Sequence, residues 1–300
     1  MKETVLITGA NGNIAKMLSG HLQAAYEVRF LTRKTKSENE FIWNLANEYI
    51  DEKALENIDY IIHLAGANIS EKRWSSERKN EIINSRVTSA NLILKKLKEK
   101  KIKIKAFISA SAIGYYGSVT SQEIFTETSP KGNDFLSNVV DLWEKAAEEF
   151  RNEKIAERIV KIRTGVVLSH NEGALDKMAT PIKYGFGSGL GSGKQYIPWI
   201  HINDLCRIYK FAIENNTIDG VYNACSPQST TNIEFTKEIA KILKKPIFLP
   251  NIPKFILKII FGELATVITE GSRCSSEKII ENGFIFDYPN LEKSLEDLLI

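Results

Sequence analysis

A glycine-bearing turn between an apolar strand and a helix constrains this chain more than any other feature. The run Val5-Leu-Ile-Thr-Gly9-Ala-Asn-Gly12-Asn-Ile-Ala15 leaves a β-rich stretch and enters a helical pattern. In such a turn the first glycine permits the tight bend. The second lets backbone come close to a diphosphate, and a small third residue, here Ala15, lets the helix pack on its strand. The free N–H groups and positive dipole end of the helix then hold the phosphates. Glycines alone are a weak signal; their placement after a strand and at a helix start makes it strong. The run predicts a Rossmann-type βαβ unit that binds a dinucleotide through Thr8, Gly9, Asn11, Gly12, Asn13 and Ile14.

The second strand, residues 27–32, should end beside the adenosine ribose. An acid there would bind the ribose 2′-hydroxyl and repel a 2′-phosphate. The chain instead carries Thr32-Arg33-Lys34. Arg33 offers a planar, permanently charged fork, Lys34 a mobile charge and Thr32 a hydroxyl, a set suited to a phosphate. The expected cofactor is therefore NADP(H), against the plain alternative of a basic surface turn.

The rest of the chain supports a strand–helix alternation. All eight prolines lie at Pro130 or later, so the first part is free of the strongest breaker. Strands are expected at 4–8, 27–32, 58–64, 106–109 and 158–162. Helices are expected at 14–24, 77–100 with a break, and 134–152. This alternation predicts an α/β, doubly wound parallel sheet with helices on both faces. After Gly165 the texture changes to a glycine-rich stretch, 185–193, and short proline-punctuated helices. We expect a Rossmann domain of residues 1–168 plus about 199–224, and a smaller α/β substrate domain of 169–198 and 225–300, with 199–216 and 221–224 returning to the sheet. The glycine stretch reads equally as a hinged lid or a mobile loop.

Composition excludes several classes. The formal net charge is +3, from 40 basic and 37 acidic residues, too weak to argue for nucleic acid. The lysine run 95–105 reads as a solvated helix end. Three scattered cysteines suggest neither disulfides nor a metal site and fit a reducing, cytoplasmic setting. No stretch reaches transmembrane length. Residues 252–261 are apolar with Lys254 and Lys258 at i, i+4, and read as a packed amphipathic helix rather than a membrane-surface one.

The glycine turn resembles the Thr-Gly-x-x-Gly-x-x-Gly/Ala signature of extended short-chain dehydrogenase/reductases. Ile61-Ile-His-Leu-Ala-Gly66, Ile108-Ser-Ala-Ser111 with Tyr115-Tyr-Gly117, Arg163-Thr-Gly-Val-Val-Leu168 and Trp199-Ile-His-Ile-Asn-Asp204 resemble that family's later landmarks. A narrower series is closer still. It runs through Arg73-Trp74, Ser85-Arg86, Thr126-Glu-Thr-Ser-Pro130, Asp134-Phe135, Trp143-Glu144, Gly191-Ser-Gly-Lys-Gln195 and Asn232 with Phe235-Thr236. Nearly the whole chain thus resembles an atypical group of uncharacterised epimerase-family proteins, sometimes labelled cell-division inhibitors. The resemblance implies that Leu64, Ala65, Gly66, Ser109 and Arg163 adjoin the cofactor. It makes Ser111 and Tyr115 the catalytic candidates, and Tyr116, Gln195, Trp199 and His201 substrate contacts. Arg163 is open to a second role, binding a polar or anionic substrate group.

Two departures stand out. Asn13 replaces the usual aromatic or aliphatic residue. The Tyr-x-x-x-Lys acid–base pair corresponds to Phe135-Leu-Ser-Asn-Val139, which has neither phenol nor ammonium. Glu127 and Asp134 are then possible substitute acids or bases, or simply a cap and a surface carboxylate. His201 is open to a structural reading, bonded to Asp204, and His63 reads as structural. The resemblance implies pairing of two copies through 87–98 and 139–150, although the lysines of the first segment argue against a large apolar contact. The function expected is an oxidoreductase or epimerase-like enzyme on a small polar molecule. The alternative is a non-catalytic NADPH sensor or interaction protein.

Overall fold

The structure, a computed structural model, describes residues 2–300. Its centre is an eight-stranded sheet. In chain order the strands are β1 (Thr4–Thr8), β2 (Glu27–Thr32), β3 (Glu40–Asn44), β4 (Tyr49–Ile50), β5 (Tyr60–His63) and β6 (Ile104–Ala112). A short β7 (Ile124–Phe125) lies outside this sheet and pairs with residues 273–274. Next come β8 (Ala156–Thr164), β9 (Val166–Ser169), β10 (Trp199–His201) and β11 (Gly220–Ala224). The central order is β11-β8-β6-β5-β1-β2-β3-β4, parallel throughout except for the β3–β4 edge. This is the doubly wound architecture that the sequence predicts.

Helices cover both faces. Helix α1 (Asn13–Leu22) packs on one face, and α2 (Ser76–Lys100) and α3 (Phe135–Asn152) pack on the other. After α4 (Gly173–Lys183), α5 (Ile202–Glu214) joins α1 over the first face. Central strands of a parallel sheet are buried on both sides and so read as continuous apolar runs; every residue of β1 is buried. Helix α6 (Asn232–Ile242), α4, β9 and residues 291–299 form a third core around Trp199.

Three expectations need correction. Helix α2 runs unbroken for 25 residues. It contains neither glycine nor proline, and its Ser85 and Ser89 hydroxyls donate to preceding-turn carbonyls of the same helix. Strands β3 and β4 are new: Glu40-Phe-Ile-Trp-Asn44 is half polar and gives little apolar periodicity, yet it pairs with β2 in register Leu31 to Phe41. Residues 199–201 do not rejoin the main sheet. As β10 they pair with β9, while β11 alone returns to the sheet edge. The lysine run lies at the surface, as a solvated helix end would, with Lys95, Lys98, Lys100 and Lys105 in surface ion pairs with Glu48, Glu153, Glu52 and Asp59. No helix among the described residues is long and apolar enough to cross a membrane.

Candidate active site

The glycine turn is built as a backbone cradle. Gly9 has φ +78°, and a Cβ there would meet the Leu64 carbonyl at 3.2 Å, so any side chain would be strained. Thr8 sits under it, fully buried, its Oγ1 accepting from the Leu64 and Ala65 amides, both at 2.9 Å. Its hydroxyl therefore ties the ends of β1 and β5 together. Gly12 is the N-cap of α1 and supplies no side-chain cap. The first-turn amides of Asn13, Ile14 and Ala15 are left without a capping side chain, the arrangement that favours an anion at a helix start. Asn11 is exposed, Asn13 and Ile14 are half-buried, and Ala15 is buried where helix meets strand.

At the end of β2, Arg33 and Lys34 are exposed, and neither side chain has an ion-pair partner among the described residues. Thr32 is buried, and its hydroxyl donates to the Lys34 carbonyl at 3.1 Å. It shapes the turn rather than presenting a donor, which corrects the expected phosphate contact.

The end of β6 carries a buried polar network. Ser111 Oγ donates to Glu144 Oε1 at 2.6 Å, across from β6 to α3. Arg163 of β8 clasps both oxygens of Glu144, Nε to Oε1 and Nη2 to Oε2, each at 2.8 Å. Its Nη1 donates to the Tyr116 hydroxyl at 3.1 Å, which in turn donates to Asn223 Oδ1 at 2.6 Å. The guanidinium lies 3.4 Å over the Tyr115 ring. Burial opposes the Arg163 charge, but Glu144 more than compensates and lifts its pKa above the ordinary range. Burial also raises the Tyr116 phenol. The structure thus brings Ser111, Tyr115, Tyr116 and Arg163 together. It spends Arg163 on Glu144, which leaves neither cofactor nor substrate a free guanidinium there. Tyr115 is half-buried, with no hydrogen bond from its phenol among the described residues. Ser109 is buried and donates to the Ala110 carbonyl at 2.8 Å.

Other candidates are placed elsewhere. Trp199 is fully buried in the third core, its indole 3.4 Å from Thr230 Oγ1, so it has no surface for a substrate. His201 is buried and stacks on Tyr288 at 3.7 Å. Its Nδ1 caps α5 by accepting from the Asn203 amide, and its Nε2 meets Asp297, not Asp204, at 3.2 Å. Burial lowers its pKa, and Asp297 and Asp204 offset this in part. Gln195 is buried, donating to the Leu190 and Ile268 carbonyls at 2.9 and 3.2 Å. It ties down the second part of the glycine stretch, which the Leu190–Ile252 bridge also holds. Asp134 is the N-cap of α3, accepting from the Ser137 amide at 2.8 Å and the Ser118 amide at 2.7 Å. Glu127 accepts from the Asn223 amide at 2.8 Å. Phe135 starts α3 with its ring 5.1 Å from Trp74, and Val139 is buried.

Sequence reading assigned no role to Glu144 or Arg86, although both fall in the resemblance motifs. Arg86 packs its guanidinium where a Gly66 Cβ would stand, at 2.9 Å, and stacks on Trp143 at 4.9 Å. It donates to the Ile82 and Ala67 carbonyls and has no carboxylate partner among the described residues. Burial pushes its pKa down to about 10.

The sequence profile of the NAD dependent epimerase/dehydratase family matches residues 5–225, and a domain of unknown function matches 252–298. The chain belongs to the NAD dependent epimerase/dehydratase family. It is 34% identical to the mouse epimerase family protein SDR39U1 over 300 residues, covering 98% of this chain and 99% of that one. Against the Bacillus subtilis epimerase family protein YfhF the identity is 32%, covering 98% and 97%. The crystal structure of human epimerase family protein SDR39U1 (isoform 2) with NADPH superposes with a TM-score of 0.87 at 31% identity, covering 98% of each chain. Within this family the chain is an atypical short-chain dehydrogenase/reductase.

In this member His63, at the end of β5, is a fully buried neutral ring. Its Nδ1 accepts from Trp143 Nε1 at 3.3 Å, so its Nε2 carries the proton and faces Ser89 Oγ at 2.8 Å. Protonation would set one N–H against another, and burial already lowers the pKa from 6.5 to about 3. A depressed histidine pKa contributes stability above its unfolded value, and that stability is lost as pH falls toward the folded one. Unfolding free energy is therefore expected to fall by up to about 1.4 kcal/mol per pH unit below 6.5 on this account. His63→Gln, which cannot titrate, should show a shallower acid limb in denaturant titrations run across pH. Parallel acid limbs for the two proteins would refute the assignment.

Proposed function

We propose that the chain binds NADP(H) in the cradle of Gly9 and Gly12 and is an oxidoreductase or epimerase-like enzyme acting on a small polar substrate. The observation that carries the cofactor reading is the pair of exposed, unpaired cations Arg33 and Lys34 at the end of β2, with no acid beside them. The NADPH in the human relative supports it. The cradle fits the group: the turn takes a left-handed backbone at Gly9 that lies close against the Leu64 carbonyl and admits no side chain, and the start of α1 carries no competing side-chain cap. When bound, the nicotinamide supplies a hydride acceptor or donor. The chain's part is to hold the substrate hydroxyl and move its proton. Ser111 would touch that hydroxyl. Its own proton already points at Glu144, which can receive it as Ser111 takes the substrate's proton. Tyr115, stacked on Arg163, offers a second donor, a phenol. The absence of a phenol at Phe135 and an ammonium at Val139 favours a second reading, a non-catalytic NADPH sensor. A metabolite panel read for product as well as for NADPH absorbance separates the two: an oxidoreductase consumes NADPH, an epimerase forms product while returning its hydride to the substrate, and a sensor does neither.

The cofactor test is quantitative. A charge-assisted contact is worth roughly 1.5–3 kcal/mol. Arg33→Ala should therefore weaken NADPH binding on the order of 10- to 100-fold, at tenfold per 1.4 kcal/mol. NADH, lacking the 2′-phosphate, should bind almost unchanged. Fluorescence titration of both cofactors against both proteins gives the answer, and equal or tighter NADH binding by the wild type would overturn the assignment.

A further inference from the structure

Residues 239–262 contain five lysines, Lys241, Lys244, Lys245, Lys254 and Lys258, and not one acidic residue. The same segment holds α7 (Lys254–Phe261), of which only Leu257 is buried. Phe255 and Ile259 are 65% and 70% exposed, and Ile260 is 55% exposed. Residues 255, 256, 259 and 260 fall at i, i+1, i+4 and i+5 and so share one face of the helix. Phe248, in the loop before α7, is also exposed, as are Tyr184 and Phe186. The latter two adjoin it in space: a Gly187 Cβ would touch Ile247, Ser188 Oγ donates to the Pro250 carbonyl at 2.5 Å, and Leu190 bridges to Ile252. This corrects the expectation that 252–261 is packed away.

We propose that this face is a docking surface for an anionic lipid bilayer, with α7 lying in the plane of the headgroups. Aromatic and branched apolar side chains on one face, with lysines alongside and no carboxylate between, are the pattern of an interfacial helix. Lys254 faces Glu270, and Lys241 faces Glu238 and Glu292. Lys244, Lys245 and Lys258 have no ion-pair partner among the described residues and remain for lipid phosphates. A second copy of the chain is a poorer occupant, since a two-fold contact through this face would set its lysines against themselves. The inference concerns a surface outside the cofactor cradle and does not depend on the proposed activity. It also departs from the expectation, drawn from sequence, of no membrane contact.

The anchor segment is held against the nucleotide-binding half at a defined point. Arg73 Nη2 donates to the Ile259 carbonyl at 2.6 Å, and Lys79 pairs with Glu263 at 2.6 Å just past the helix. Both cations come from the loop and first turns after β5, and Trp74 of that loop packs on Phe135. A bilayer under α7 would thus lie beside the chain segments that flank Phe135, the position lacking the catalytic phenol.

Co-sedimentation with vesicles tests the inference on the full chain. Binding is expected to phosphatidylcholine vesicles doped with phosphatidylserine, to weaken as salt rises, and to be much lower on phosphatidylcholine alone. Phe255→Glu with Ile259→Glu should lower binding more than about tenfold, since each removes an apolar side chain that the bilayer would bury. Lys244→Glu with Lys245→Glu should do so on the order of tenfold and flatten the salt dependence. All four positions are exposed, and thermal melts should match wild type. Wild type failing to bind anionic vesicles overturns the proposal. Equal binding by the variants does the same, as does a wild-type dimer in light scattering that the Phe255→Glu, Ile259→Glu variant abolishes without any vesicle binding.

Discussion

Gly12→Val is expected to remove dinucleotide binding, weakening it 100-fold or more, while leaving the protein folded. The backbone at Gly12 has φ −74° and ψ 149°, open to any residue, so valine brings no conformational strain of the kind it would bring at Gly9. Its Cβ would lie 3.2 Å from the Gly9 carbonyl, which must yield by a few tenths of an ångström. The remaining bulk stands over the first-turn amides of α1, where a diphosphate would accept its hydrogen bonds. Bonds from these amides to a charged oxygen are each worth roughly 1.5–3 kcal/mol. Losing two amounts to about 100-fold or more at tenfold per 1.4 kcal/mol. Gly20→Ala is the control: it lies in the same helix, and a Cβ there meets nothing within 4 Å. It should bind as wild type does. Calorimetry on variants with native circular dichroism decides. Binding by Gly12→Val within a few-fold of wild type would remove the cradle from the proposed function.

What the sequence made legible here was local, and what it hid was long-range. The β1–α1 turn could be read because its signal lies within eleven consecutive residues, Val5 to Ala15, and each has one physical task. The alternation makes a doubly wound parallel sheet legible through the crossover rule, though not its strand order. Strand β3 stayed hidden because its stability comes from pairing with β2, not from its own apolar pattern. Glu144 gave no signal as a partner of Arg163, 19 residues away in the chain and in a different kind of element. Trp199, His201 and Gln195 sit in motifs that suggest a ligand, yet their side chains are used internally: one fills the third core, one caps α5 and one donates to the Leu190 and Ile268 carbonyls. A motif reports that a residue is constrained, and only contacts report by what. Helix α7 failed in the opposite sense. Its period was read correctly, but periodicity names an apolar face without naming what covers it.

The second large effect should come from that hidden pair. Arg163 and Glu144 are 3% and 8% exposed, and the bidentate clasp satisfies the carboxylate from one side while Ser111 occupies Oε1 from another. Removing one charge strands the other in a medium that cannot solvate it, a cost of about 3–5 kcal/mol in buried pairs. Glu144→Leu is therefore expected to destabilise the protein by about that much. Glu144→Gln, which keeps one acceptor oxygen, should lose less. The double variant Glu144→Leu, Arg163→Leu removes both charges at once and should recover most of the loss, because a buried pair contributes little net stability against apolar groups of similar volume. A double-mutant cycle in urea isolates the coupling, and contacting residues of one network should not add. The network also singles out a variant that should spare stability while testing the proposed proton transfer. Ser111→Ala deletes a hydroxyl that donates to Glu144 but leaves both Arg163 bonds, so its cost should stay near 1 kcal/mol, the usual worth of one hydrogen bond. If Glu144→Leu unfolds within 1 kcal/mol of wild type by the same yardstick, the clasp does not exist in solution, and Ser111 has no carboxylate behind it.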